Sequence, residues 1–194
     1  LHRVEGKKEL PPSKEYLGVE VDNILRSCNL MAERIRKSET KPLDIHAVCE
    51  FNRQVLNGLQ LREGVVPGVI RKSGVQVGIY RGAPHEDCEY LMKRLLDWVH
   101  SSVFPSASHP GIIGGIIKAI VAHIYFEWIH PFGDGNGRTG RLIELQILLE
   151  SGVPQPAAHL LSNHYNATRT EYYRQLELAS VNQDILGFLQ YAVM

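Results

Sequence analysis

The sequence predicts an all-α fold that carries one small β-hairpin. Apolar residues recur at steps of three and four through most of the chain, a spacing that gives each helix one buried face. Residues 112–129 are apolar around most of a helical circumference, which predicts a central buried helix. Residues 63–84 give the one convincing strand signal, because five glycines and two prolines separate short β-branched runs.

The first part of the chain predicts a short polar arm followed by two helices. Residues 1–15 are polar and contain Pro11-Pro12, so we expect no core helix there. The apolar positions of residues 19–36 and of residues 43–59 follow helical spacing, and Pro42 separates the two predicted helices.

The predicted hairpin has arms at residues 65–71 and 75–80, joined by Lys72-Ser73-Gly74. An isolated hairpin is marginally stable, so it must lie on the helical body. Two interpretations stay open. The hairpin is either a surface excursion or a flap whose free edge can pair with an extended peptide.

The second half predicts further helices around the apolar one. Their expected ranges are residues 85–100, 138–149, 168–180 and 184–192, with a loop at residues 101–111. In the first of them, five apolar residues are expected to face inward: Tyr90, Leu91, Leu95, Leu96 and Val99.

Composition excludes several function classes. Lys plus Arg equals Asp plus Glu, at 21 each, so no overall field attracts nucleic acid or a membrane surface. The three cysteines have no CxxC spacing, which argues against a disulfide framework or a zinc cluster. No segment resembles a signal peptide, and polar residues interrupt the apolar stretch, so we expect a protein of a reducing compartment, the cytoplasm.

Residues 130–141, HPFGDGNGRTGR, concentrate the chemistry of the chain. Asp134-Gly135 and Asn136-Gly137 are consecutive turn dipeptides, whose backbone N–H groups can converge on an anion at the start of the following helix. Arg138 and Arg141 lie on the first turn of that helix, where each opposes the helix dipole at a cost of about 0.3–1 kcal/mol. A bound polyanion would make the two arginines stabilising at this position.

Asp134 and His130 indicate what such an anion would be. Asp134 would repel phosphates unless a divalent cation bridged them, and Mg²⁺ usually combines one or two carboxylates with phosphate oxygens. The ordinary pKa of histidine lies near neutral pH, which suits His130 as a general base. A base beside a phosphate site predicts that a hydroxyl attacks phosphorus. His123, on the same helix, is interpreted as a core histidine.

Three patterns of other known sites occur in or near this segment, but each is incomplete or in the wrong structural context. Gly135, Gly137 and Gly140 satisfy GxGxxG, but a helix rather than a strand precedes them, which disfavours a dinucleotide site. Glu127 and His130 form one ExxH pair, whereas di-iron bundles need two. No Lys-Ser or Lys-Thr follows the glycines, so the pattern is not a P-loop.

The loop HPFGDGNGRTGR is similar to the HxFx(D/E)GNGRxxR signature of the Fic family at every signature position. Residues 112–149, the segment VPGVIRKSGVQVGI and the segment YNATRTEYYRQLELA also resemble Fic segments, in the expected order. The resemblance covers most of residues 60–192. It implies a Fic-type helical bundle with a β-hairpin flap, and transfer of AMP from ATP to a Ser, Thr or Tyr hydroxyl of a target protein.

The resemblance also implies residue roles. His130 would be the catalytic base and Asp134 would hold Mg²⁺. The nucleotide phosphates would be bound by Gly135, Asn136, Gly137, Arg138 and Arg141. A target segment would dock by strand addition along the flap, at Val75, Gln76, Val77, Gly78 and Ile79. Tyr172 and Tyr173 would wall the adenine pocket, although two tyrosines on a helix are more often packing residues.

Glu5 is a candidate inhibitory residue. Some Fic proteins carry a helix with the motif (S/T)xxxE(G/N), whose glutamate pairs with the second motif arginine. Glu5-Gly6 matches the end of this motif, whereas Leu1 stands where Ser or Thr belongs. The hypothesis is that Glu5 bonds Arg141 and restrains activity; the alternative is an exposed acid in a frayed terminus.

The predicted organisation is an N-terminal helical region at residues 1–60 with the inhibitory segment, and a catalytic core at 61–194 with the flap at 65–81. ATP with Mg²⁺ and a target protein are the predicted partners, without nucleic acid or membrane, and a homodimer is compatible with this picture. Alternatives stay open: transfer of UMP or phosphocholine, removal of AMP from a modified protein, or a non-catalytic module that binds nucleotide and peptide. Doc-like relatives transfer the γ-phosphate but alter the glycine positions that Gly135 and Gly137 retain.

Overall fold

The structure, a computed structural model, describes residues 15–77, 80–101 and 111–194. Among them it has helices of very different lengths, in the following order: α1 (Glu15–Arg36), α2 (Ile45–Val55), α3 (Cys88–Val99), α4 (Gly111–Ile129), α5 (Asn136–Glu150), α6 (Gln155–Ala158), α7 (Leu160–Ala167), α8 (Arg169–Asn182) and α9 (Leu186–Ala192). A short 3-10 helix, His85–Asp87, precedes α3. The all-α prediction is confirmed.

Helices α4 and α5 form the centre of the fold. The main hydrophobic core combines side chains of α1, α2, α3, α4 and α5, so it draws on both sides of the domain boundary predicted at residue 60. Gly140 lets α5 approach α4 closely, because a Cβ there would lie 2.9 Å from Glu127 Oε1 and 3.1 Å from Phe126 Cδ1. The predicted central helix is therefore the one against which the motif helix packs.

Helix α4 is also, within the described residues, the one helix that is long and apolar enough to cross a membrane. Its mean hydropathy is 1.6, and 56% of its most apolar window is buried inside the protein. This burial arises from the packing of α4 against α3, α5 and α9.

Helices α1 and α3 do not bury all the side chains that their apolar spacing predicts. In α1, the polar Asn23 and Ser27 are buried whereas Leu25 is exposed, because Asn23 donates hydrogen bonds to the carbonyls of Val55 and Asn57. In α3, the expected inward position of Tyr90 is wrong. Its side chain is 63% exposed, and Met92 is buried instead.

The hairpin exists but not at the predicted place. Strand β1 (Gln76–Val77) pairs antiparallel with β2 (Tyr80–Arg81), so the prediction of an arm at residues 65–71 with a turn at 72–74 is wrong. Ile70 instead forms a bridge with Phe132, and the Arg71 amide donates to the Pro131 carbonyl at 2.9 Å. The β-branched run therefore pairs with the motif loop rather than with the second arm.

The C-terminal helices form a second, aromatic core against α4. Tyr165, Tyr172, Phe188 and Tyr191 pack there with Ile120 and Ile124. The sequence predicted helices near α8 and α9 but not α6 and α7, which are short and follow Pro154. Pro156 is tolerated because it lies in the first turn of α6, where the backbone N–H has no helical acceptor.

A buried polar network joins the two cores beneath the motif helix. Glu144 on α5 accepts a hydrogen bond from the Tyr165 hydroxyl at 3.0 Å, and His123 on α4 lies 2.9 Å from the Tyr172 hydroxyl. Burial raises the pKa of Glu144 from 4.5 to about 8, although the Tyr165 hydrogen bond and Arg141 oppose this effect. Burial lowers the pKa of His123 to about 3, so this histidine is neutral at physiological pH.

The raised pKa of Glu144 predicts a pH-dependent stability. The native state keeps a proton that the unfolded chain releases above its ordinary pKa of 4.5, so Glu144 lowers stability as pH rises from that value towards about 8. Between pH of about 5 and about 8, we expect the free energy of unfolding of the wild type to fall by about 3–4 kcal/mol more than that of Glu144→Gln. Urea titrations across this pH range measure the difference.

The exposed Glu177 on α8 provides the control, since Glu177→Gln should retain the wild-type pH dependence. Equal slopes for the wild type and Glu144→Gln would show that Glu144 does not carry the proton.

Candidate active site

The turn between α4 and α5 is closed by the Asn136 side chain. Its Oδ1 accepts from the Phe132 amide at 2.9 Å, and its Nδ2 donates to the Phe132 carbonyl at 2.8 Å. Asn136 is 3% exposed, so its main contact is with the loop itself. The sequence-based role of direct phosphate contact is thus less suited to this side chain than the role of shaping the loop.

Gly135 begins the motif helix in a conformation that favours glycine. Its φ is +76°, and a Cβ there would lie 3.0 Å from Leu56 Cδ2 and 3.1 Å from Asn52 Nδ2. Asn52, which is fully buried on α2, donates to the Asp134 carbonyl at 2.9 Å and accepts from the Gly68 amide at the same distance. Helix α2 therefore fixes the turn from below.

The N-terminus of α5 is arranged to receive an anion. The amides of Asn136, Gly137 and Arg138 precede the first helical bond, from the Thr139 amide to the Gly135 carbonyl, so they have no acceptor within the helix. The helix dipole places partial positive charge at the same point. Arg138 and Arg141 add two formal charges to this end of α5.

Arg138 is held between two carboxylates. Its Nη1 lies 2.7 Å from Glu20 Oε1 on α1, and its Nη2 lies 3.2 Å from Asp134 Oδ1. The Arg138 side chain is 19% exposed and that of Glu20 is 30% exposed, so solvent reaches both ends of the contact. Helix α1 thus contributes a charged residue to the motif site.

Asp134 provides one carboxylate at the surface of the loop. Its Oδ1 accepts from the Gly135 amide at 2.6 Å, and its side chain is 34% exposed. Within the described residues, no group of three or more His, Cys, Asp or Glu side chains forms a metal cage. A single accessible carboxylate fits Mg²⁺ that takes its remaining ligands from water and substrate phosphates.

His130 has a backbone conformation that the surrounding structure must hold. Its φ is +50°, which is uncommon for a residue with a side chain. The buried Arg71 guanidinium donates to the His130 carbonyl at 2.8 Å and to the Ile129 carbonyl at 3.3 Å. These bonds stabilise the end of α4 at the point where the chain enters the motif loop.

The His130 ring is neutral and has a defined tautomer. Burial lowers its pKa from 6.5 to about 4, while the hydrogen bond to the Glu127 carbonyl and the charge of Asp134 oppose the shift. His130 Nδ1 lies 3.2 Å from that carbonyl oxygen, which can only accept a hydrogen bond. Nδ1 therefore carries the proton, and Nε2 keeps a free lone pair able to accept one.

The two tyrosines predicted at the adenine pocket differ in exposure, although their ring centres lie 5.3 Å apart. Tyr172 is 4% exposed, and its hydroxyl contacts His123 within the aromatic core, which favours the packing alternative for this residue. Tyr173 is 48% exposed, with the Arg169 guanidinium 5.7 Å from its ring centre. Tyr173 is the more accessible of the two, and the adenine pocket stays a prediction.

The remaining predicted residues are only partly described. Val75 precedes β1, which consists of Gln76 and Val77. Gly78, Ile79 and Glu5 lie outside the described residues. Docking of a target along the hairpin and inhibition by Glu5 stay predictions.

Three residues that hold the site together were not predicted from the sequence: Glu20, Asn52 and Arg71. Asn52 could have been found as a polar residue beside Phe51 on the inward face of a predicted helix. Arg71 gave no such signal, because its burial depends on the bridge between residue 70 and the motif loop.

Comparison with known proteins agrees with this geometry. A family model described as the Fic/DOC family matches residues 42–148, more than half of the chain. The protein named Protein adenylyltransferase Fic of Drosophila willistoni is 32% identical over 188 residues, which make up 97% of this chain and 33% of that protein. Protein adenylyltransferase fic-1 of Caenorhabditis elegans is 28% identical over 184 residues, covering 95% of this chain and 32% of that protein. The chain thus spans about a third of the length of these relatives.

Solved structures share the fold. A fragment of Fic-1 from C. elegans superimposes with a TM-score of 0.69 at 25% identity, covering 98% of this chain and 52% of that one. A Fic family protein from Desulfovibrio desulfuricans G20 also gives a TM-score of 0.69, at 23% identity over 98% of this chain and 54% of that one. With the helical bundle, the complete motif loop and the family match in agreement, the chain belongs to the Fic/DOC family.

Proposed function

We propose that this chain carries the catalytic part of a protein adenylyltransferase, which transfers AMP from ATP to a hydroxyl of a target protein. The observation that carries the proposal is the placement of a neutral histidine, protonated on Nδ1, at the entrance of a loop whose next helix presents amides without an acceptor in the helix and two arginines. The names of the relatives support the same activity.

His130 is the general base of the proposed reaction. Its Nε2 accepts the proton of the target Ser, Thr or Tyr hydroxyl, whose oxygen forms a bond to the α-phosphorus of ATP. The bond from that phosphorus to the oxygen bridging the α- and β-phosphates breaks, and its electron pair leaves with pyrophosphate. The proton on His130 then passes to water, which restores the neutral base.

The motif helix binds and orients the polyphosphate. The amides at its N-terminus, including that of Gly137, donate to phosphate oxygens, and Arg138 and Arg141 balance the charge of the outer phosphates. Asp134 would hold Mg²⁺, and the ion would neutralise charge on the phosphate oxygens. Because Nη1 and Nη2 of Arg138 are engaged by Glu20 and Asp134, its position is set before nucleotide arrives.

The hairpin is the proposed docking edge for the target segment. The described sheet has two strands, so each strand has an outer edge, and an extended peptide can pair with the backbone of such an edge. Such a peptide would bring its hydroxyl close to His130, because a Cβ on Gly82, which follows β2, would lie 3.1 Å from His130 Cβ.

Two alternatives are separated by their products. Transfer of UMP or phosphocholine by the same loop would give a different mass on the acceptor, and removal of AMP would lower the mass of a modified protein. A binding module without chemistry would hold ATP without releasing pyrophosphate. The positive φ and neutral ring of His130 favour catalysis, since a module that only binds nucleotide does not need a strained base.

Removal of the base should abolish transfer and preserve nucleotide binding. In His130→Ala, we expect AMP transfer to fall by at least about 100-fold, because no other group accepts the hydroxyl proton. The dissociation constant for ATP with Mg²⁺ should stay within about two-fold, because the amides and arginines of α5 are unchanged. ATP labelled at the α-phosphate measures transfer, and calorimetry measures binding.

His46→Ala is the matched control, because His46 is an exposed histidine on α2 away from the loop. Transfer that persists in His130→Ala would contradict the role of the base. Loss of ATP binding in this variant would count against the assignment of the site.

Glu5 is the proposed inhibitor, through Arg141. Arg141 Nε is buried and has no hydrogen-bond partner within the part of the chain that the structure describes, so an additional acceptor would be stabilised there. We expect Glu5→Gly to increase self-modification with labelled ATP by about 10-fold, because the γ-phosphate gains access to Arg141. Glu9→Gly, a change at another acid of the same arm, should have no such effect. Equal labelling of the parent and Glu5→Gly would exclude this inhibition.

A further inference from the structure

A buried carboxylate lies behind the catalytic base. Glu127 is on the last turn of α4, three residues before His130, and its side chain is 9% exposed. Its Oε2 lies 3.7 Å from His130 Nδ1, the ring nitrogen that carries the proton. The backbone carbonyl of the same residue lies 3.2 Å from Nδ1. One residue therefore provides both a carbonyl and a carboxylate on the protonated side of the ring.

The motif helix is shaped to leave room for this carboxylate. The Cβ positions of Gly137 and Gly140 would lie 3.9 Å and 2.9 Å from Glu127 Oε1. A side chain at Gly140 would displace the carboxylate. Glu127 Oε1 is buried and has no hydrogen-bond partner among the described residues, so the site does not neutralise it by a direct bond.

The surroundings of Glu127 decide its charge. Burial raises its pKa from 4.5 to about 7, and the positive charge of Arg141 opposes the shift. The titratable or charged groups that face it come from α4, α5, α8 and β2, and they are His123, His130, Arg141, Glu144, Tyr172 and Tyr80. At a pH above about 7, Glu127 is a carboxylate in a site of low polarity, where its field acts strongly on nearby groups.

We propose that Glu127 is a positioning residue for His130, whose ionised carboxylate stabilises the imidazolium formed when Nε2 accepts the proton of the target hydroxyl. The inference rests on the proposed function. The backbone carbonyl fixes the tautomer, and the carboxylate supplies the negative charge that a proton on Nε2 requires. No atom is transferred to or from Glu127 in this step.

The role has a defined pH dependence. Protonation of Glu127 removes the negative charge, so kcat of the wild type should rise as pH increases through about 7. In Glu127→Gln, kcat should be low and flat over the same range, because the pKa of His130 is about 4 and the base stays unprotonated. At a pH of about 8, we expect kcat of Glu127→Gln to be about 10-fold below the wild type, with KM for ATP within about two-fold.

Glu144→Gln is the matched control for burial and charge. Glu144 is as buried as Glu127 and also lies near Arg141, but it contacts Tyr165 rather than His130. This variant should keep the wild-type kcat and its rise with pH. Glu127→Asp retains a carboxylate and should keep the rise with pH at an intermediate kcat, which tests the proposal if Glu127→Gln does not fold.

A second measurement does not depend on activity. In protein with isotope-labelled histidine and without nucleotide, NMR of the His130 ring nitrogens should show a titration near pH 7 in the wild type and in Glu144→Gln. The titration should be absent from Glu127→Gln, while the ring keeps its proton on Nδ1. The His130→Gln variant assigns the signals.

The outcomes separate the two proposals. If the wild type transfers no AMP but the His130 signals titrate as described, the proposed function fails and the coupling of Glu127 to His130 stands. If transfer occurs and Glu127→Gln keeps either the wild-type kcat or the His130 titration, the inference is overturned. A rise in KM for ATP with unchanged kcat would also overturn the inference. Glu127 would then affect nucleotide binding through Arg141 and not the base.

Discussion

The two hydrogen bonds between the Asn136 side chain and the backbone of Phe132 are the constraint on which the site depends. They close the turn between α4 and α5, so His130 at one end, the proposed base, and the amides at the other, the proposed anion site, have a fixed separation. Asn52 on α2 reinforces the turn through the Asp134 carbonyl. The loop is thus rigid before any substrate binds, which is the condition under which positioned charges contribute most to catalysis.

The electrostatics of the site are divided between its surface and its interior. At the surface, Arg138 is shared by Glu20 and Asp134 where solvent screens the charges. Beneath the loop, Glu127 and Glu144 are buried near Arg141, and burial raises the pKa of both. The exposed charges can exchange partners with a nucleotide, whereas the buried ones are held by the packing around them.

The sequence predicted the features that depend on local pattern. The helices α4 and α5 and the motif loop follow from apolar spacing and from turn dipeptides, and the family resemblance rests on the same loop. The first arm of the hairpin was predicted at the wrong residues. The run ending at Arg71 has strand composition, but it pairs with Phe132 and Pro131, which are distant in sequence. The sequence left the role of Tyr172 open for a related reason, since its aromatic partners come from α7 and α9.

Arg71 joins parts of the molecule that would otherwise move separately. Its guanidinium donates to the carbonyls of Ser73 and Ala83, on the two sides of the hairpin, and to the carbonyl of His130. A displacement of the hairpin must therefore either break these bonds or rotate the backbone of His130, the proposed base. A target that seats poorly on the hairpin would disturb the alignment of the base as well as its own binding. Discrimination between targets would then be expressed in the rate of transfer and not in affinity alone.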